Sequence, residues 1–85
     1  MSFCIAVFKS RTHTIAFVKF MQSKGVECFS VPTPPEAHIG CGISAKLPCE
    51  RLPFARQVVN ALGFSSFSGF YSVKKDGVKQ FITRL

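Results

Sequence analysis

Cys4-Ile5-Ala6-Val7-Phe8, broken by Lys9-Ser10-Arg11-Thr12 and followed by Ile15-Ala16-Phe17-Val18-Lys19-Phe20-Met21, is the stretch on which the fold turns. The first five residues are an unbroken apolar run of strand length, which suits a central strand covered on at least one face. Ser10 and Thr12 are both candidate N-caps, because a side-chain oxygen there can accept a free N–H of the next turn. From His13 to Lys24 the spacing becomes helical: Ala16, Phe17, Phe20 and Met21 share a face, and Ile15 and Val18 fall off it. Lys24-Gly25 then reads as a basic last turn and a C′ glycine.

The rest of the chain repeats the theme. Val26–Val31 reads as a second strand that Pro32 ends, and Ile43–Leu47 as a third. Pro48 to Leu52 leads into a second helix. Pro53 lies in its first turn, its apolar face is Leu52, Ala55, Val58, Val59 and Leu62, and Gly63 is its C′ residue. Phe67–Val73 is a fourth strand. Asp76-Gly77 is a tight-turn signal, and Val78, Gln80 and Ile82 alternate behind it as an optional fifth strand. The order β-α-β-β-α-β predicts an α+β fold of the ferredoxin-like split β-α-β kind, an antiparallel sheet with two helices on one face. Eighty-five residues make one domain, 1–85, of which 74–85 would be a C-terminal hairpin or tail.

Composition bounds the function. Hydrophobic residues make up 47% of the chain and ten are Phe, which argues for folding and leaves some Phe for an exposed patch. The net charge of +7 is spread along the sequence, which favours anions without choosing among them. No cationic segment precedes the first apolar run, so no secretory signal is visible, and no uncharged apolar run approaches the roughly 20 residues of a membrane span. A cytoplasmic setting with reduced thiols is therefore expected. The four cysteines, Cys4, Cys28, Cys41 and Cys49, are separated by 24, 13 and 8 residues. That spacing fits no compact zinc pattern, and neither metal nor cofactor is expected.

Read singly, Cys4 and Cys28 fall in strand patterns and look like core thiols. Cys41 is different. It stands between Gly40 and Gly42, after the proline-stiffened run Pro32-Thr33-Pro34-Pro35. Flanking glycines admit an approaching partner, and successive N–H groups in a Gly-rich turn can stabilise a thiolate, the nucleophilic form. A small buried loop cysteine is the equally weighted alternative. Cys49, near a helix N-terminus, is a candidate resolving thiol for Cys41. His13, at the other helix start, is a candidate assisting group, weighed against a capping or surface role. Acidic residues are scattered, so paired-carboxylate chemistry is not indicated. Ser68-Gly69-Phe70-Tyr71 only faintly echoes an RNA-recognition motif and lacks its basic residue, so nucleic-acid binding ranks last.

Several of these pieces, taken in order, resemble a known family. They are the apolar first strand, Ser10 with Thr12-His13, Lys24-Gly25-Val26, Pro32-Thr33-Pro34, Cys41-Gly42-Ile43-Ser44, Gly63, and Gly69-Phe70-Tyr71. From about Phe3 to Val73 the chain looks like the small selenium/sulfur carrier-like proteins. The resemblance implies that Cys41 takes up sulfur or selenium as a persulfide or selenosulfide and passes it on, between donor and acceptor proteins, as a carrier more than as an enzyme. It also implies that His13 lies near the same end of the sheet. The family often has Arg after the second loop proline, where this chain has Pro35. If that Arg holds an anionic partner, Lys9, Arg11 or Lys46 must substitute. The competing expectation is a non-catalytic interaction module, in which surplus Phe and an edge strand support homodimerisation.

Overall fold

The computed structural model describes residues 2–37 and 42–85, with the backbone alone at Glu36. Strand β1 (Ser2–Phe8) leads into helix α1 (Arg11–Ser23). Strand β2 (Phe29–Pro32), a 3₁₀ turn at Pro35–Ala37 and strand β3 (Ile43–Leu47) follow. A second 3₁₀ turn at Cys49–Arg51 opens into helix α2 (Leu52–Leu62), and β4 (Phe67–Asp76) and β5 (Lys79–Arg84) close the chain. The fold is α+β: one five-stranded sheet, all of whose pairings are antiparallel, in the order β2-β3-β1-β4-β5. The optional fifth strand is present, and Gly77 takes the turn with φ 63°.

Strand β1 is the axis of the sheet, paired with β3 on one edge and β4 on the other. Its side chains alternate between two buried layers. Cys4, Ala6 and Phe8 join Phe17 and Met21 of α1 and Ala55 and Val58 of α2 in one core, so both helices lie on one face. Ile5 and Val7 join Tyr71 and Val73 of β4 in a smaller core on the opposite face. Aromatic rings close one end of the larger core: Phe8 lies 5.3 Å from Phe17, 5.3 Å from Phe64 and 5.4 Å from Phe67, centroid to centroid.

The structure corrects several details of the sequence reading. Helix α1 starts at Arg11, capped by Ser10, whose hydroxyl accepts the His13 N–H at 3.2 Å. Its buried stripe is Thr14, Phe17, Val18 and Met21, rotated from the expected one, so that Ala16 is exposed. Thr14 can be buried because its hydroxyl donates to the Ser10 carbonyl at 3.3 Å. Strand β2 is shorter than expected. Val26 and Cys28 are buried, but as core residues ahead of the strand. Leu62, expected on the apolar face of α2, is 48% exposed. Of the surplus phenylalanines, Phe29 on β2 and Phe81 on β5 are the two more than half exposed, and both sit on edge strands.

Phe8 carries the link between sheet and helices. Phe8→Ala is expected to cost about 3–5 kcal/mol, the usual range for truncating a fully buried ring. Urea denaturation measures it, and a cost below about 1 kcal/mol would show that the aromatic end of the core is not what holds the helices down.

Candidate functional site

The loop between β2 and β3 contains Cys41. Gly40 and Cys41 lie outside the described residues, but the base of their loop is defined. The Thr33 N–H donates to the Gly42 carbonyl at 2.9 Å, and the Thr33 and Ser44 hydroxyls are hydrogen-bonded at 2.6 Å. Ser44 is fully buried, so the second bond satisfies a polar group that would otherwise be costly. The Ala37 N–H donates to the Pro34 carbonyl at 3.0 Å, which forms the 3₁₀ turn. Gly42 has φ 95°, a left-handed backbone that an L side chain rarely adopts. That gives the glycine after Cys41 a conformational reason, alongside the access it was expected to provide.

The register fixes where this loop base sits. Val7 faces Ser44, so Gly42 is level with the C-terminal end of β1, where α1 begins. That end holds a small polar cluster. His13 Nδ1 is 2.6 Å from the Ser66 hydroxyl, which also accepts the Ser10 N–H at 3.2 Å. The Lys9 N–H donates to the Ser66 carbonyl at 2.9 Å. The His13 ring packs on Phe64, centroids 5.4 Å apart. Lys9 and Arg11 flank this cluster and are exposed. Lys46 does not join them. It faces Ile5, four residues from Lys9 along β1, or about 13 Å at the rise of an extended chain. Its ammonium sits 4.4 Å above the Phe3 ring. Ser66 and Phe64 were not legible beforehand, because nothing in a loop after Gly63 signals contact with a residue 53 positions earlier.

The cysteines differ most from expectation. Their sequence context makes Cys4 and Cys49 separate thiols, one in the core and one available to resolve Cys41. Instead they are joined by a disulfide, with Cα atoms 5.1 Å apart. The cause is register: Cys4 faces Leu47 on β3, and Cys49 follows two residues later at the turn into α2. The buried Cys28 keeps its thiol, and burial pushes it up to about 11. Among the described residues, no cluster of three or more His, Cys, Asp or Glu could hold a metal ion. Nor is any helix long and apolar enough to cross a membrane.

A family model described as "Putative Se/S carrier protein-like" matches residues 3–71. The chain belongs to that family. The match covers every element from β1 into β4, including the Cys41 loop and the His13 cluster, and stops before β5. Comparison with curated proteins and with solved structures finds no match.

The disulfide closes a segment of 45 residues. Reduction, or Cys49→Ser, is expected to lower stability by about 2–4 kcal/mol. Equal urea midpoints with and without reductant would show that the link adds nothing. Cys28 should resist alkylation until the protein unfolds. Because the unfolded chain releases the Cys28 proton first, stability should fall as pH rises from about 9 to about 11. A Cys28→Ala variant should lose that part of the pH dependence, read from melts across the range.

Proposed function

We propose that this family member carries sulfur or selenium on Cys41, taking it from a donor protein and handing it to an acceptor. The observation that carries the reading is family membership over a segment that contains Cys41. The other cysteines support it. Cys28 is buried and held protonated, and Cys4 and Cys49 are bonded to each other. Neither state favours nucleophilic attack, since the reactive form is an accessible thiolate.

The transfer balances without an outside oxidant. The Cys41 thiolate attacks the outer sulfur of a donor persulfide. The donor S–S bond breaks as the new one forms, the donor leaves as a thiolate, and Cys41 becomes the persulfide. The acceptor nucleophile then attacks that outer sulfur and Cys41 leaves as a thiolate. Selenium follows the same path as a selenosulfide. His13 is the assisting group in this scheme, Gly40 and Gly42 give access to the sulfur, and Lys9 and Arg11 draw an anionic partner to that end of the sheet. Such a role needs a docking surface and one sulfur, and no general acid–base pair. A cytoplasmic setting belongs to this reading. The ferredoxin-like reading of the fold rests on β1 and β3 as antiparallel neighbours at the centre, with β5 as an added strand.

A second reading has its own support. Phe29 is 56% exposed on edge strand β2, which suits strand addition by a partner or a second copy. The two separate in one experiment. The protein is incubated with a persulfide-loaded cysteine desulfurase and analysed by intact-mass and peptide mass spectrometry. Wild type should gain one sulfur on Cys41, and Cys41→Ser should gain none. Sulfur loading of Cys41→Ser to the wild-type level would overturn the carrier reading and move the interaction module ahead.

A further inference from the structure

The sheet face opposite the helices carries a groove that the carrier reading leaves unused. Register aligns Phe29, Lys46, Ile5, Tyr71 and Arg84 in one row across all five strands. Phe3, Val73 and Ile82 form the next row, with Lys75 and Gln80 paired beyond it. Between the Val31–Pro35 segment and the β4–β5 hairpin lies a groove of about 330 Å³. Phe3 floors it over the buried Ile5, Pro34 and Pro35 wall one side, and Lys75 and Gln80 wall the other. Lys46 lines it as well, its ammonium fixed over the Phe3 ring. Among the described side chains, no carboxylate lines the groove. Glu27 borders a neighbouring hollow, which shares Phe3 and Lys46 with the groove.

Volume, lining and charge together define a ligand class. Small-molecule sites of a few hundred cubic ångströms are mostly apolar, with a few polar groups that set orientation. Here the polar groups are two ammonium ions, an amide and the Thr33 hydroxyl, and the apolar part is a ring, two aliphatic side chains and three prolines. Lysine binds phosphate as a point charge, and two lysines match a dianion better than a single carboxylate. We propose that this groove binds a small organic phosphate monoester, its phosphate between Lys46 and Lys75 and its apolar body against Phe3 and Pro34. The site goes beyond the carrier reading and does not need Cys41.

The test is a titration of the ¹⁵N-labelled protein with phenyl phosphate, read from amide chemical shifts at constant ionic strength. The expected result is saturable shifts at Ile5, Thr33, Lys46 and Lys75. Lys46→Gln and Lys75→Gln should each weaken binding by roughly tenfold, the usual scale for losing one charged contact. Lys19→Gln, on the helix side, should bind as wild type does, and so should Cys41→Ser. Inorganic phosphate should bind more weakly, since it cannot use the apolar floor. Shifts spread over the basic surface without saturation, unchanged affinity in both groove variants, or equal affinity for inorganic phosphate would each overturn the proposal. The same spectra show whether each variant is folded.

Discussion

Everything else in this molecule is arranged around the burial of β1 on all four sides. Its two edges are hydrogen-bonded to β3 and β4, and its two faces are covered by different cores. The five residues Cys4–Phe8 keep almost no exposed surface. A strand so enclosed has one register open to it, because a slip of one residue would exchange the two faces. That register then places the rest. It brings β3 to start where β1 ends, it sets Cys49 beside Cys4, and it delivers α1 from the same end of the sheet.

The loop bearing Cys41 is attached at that end and tied at its base by two hydrogen bonds to Thr33. Beside it, Ser66 links His13, Ser10 and Lys9 across 50 or more residues of sequence. The aromatic rings beneath this cluster give it a rigid floor.

The two faces of the sheet divide the chemistry. The helix-covered face holds the disulfide and the protected Cys28, and so has sulfur in structural use. The opposite face holds its cations against rings: Lys46 over Phe3, and Arg84 over Tyr71 with a 3.3 Å hydrogen bond from its guanidinium to the phenol oxygen. Those contacts also bear on nucleic acid. Tyr71 is buried and already has Arg84 over its ring, so it offers no bare face on which a base could stack.

The sequence alone was enough for the local choices, because each rests on neighbours a few residues apart. The extent of β3, the left-handed Gly63 after α2, the Ser10 cap and the Asp76-Gly77 hairpin were all legible in turn chemistry and periodicity. The family was signalled by the order of its motifs. Tertiary structure decided what depends on distant partners. Val26 and Cys28 look like strand residues because burial makes them apolar, whatever their backbone does. The stripe of α1 rotated because a local hydrogen bond lets Thr14 be buried where a polar residue would ordinarily point outward. The Cys4–Cys49 link, the His13–Ser66 contact and the Lys46–Lys75 groove follow from strand register and strand order. No local pattern encodes those two quantities, because they are set by how the whole apolar surface of the chain is buried at once.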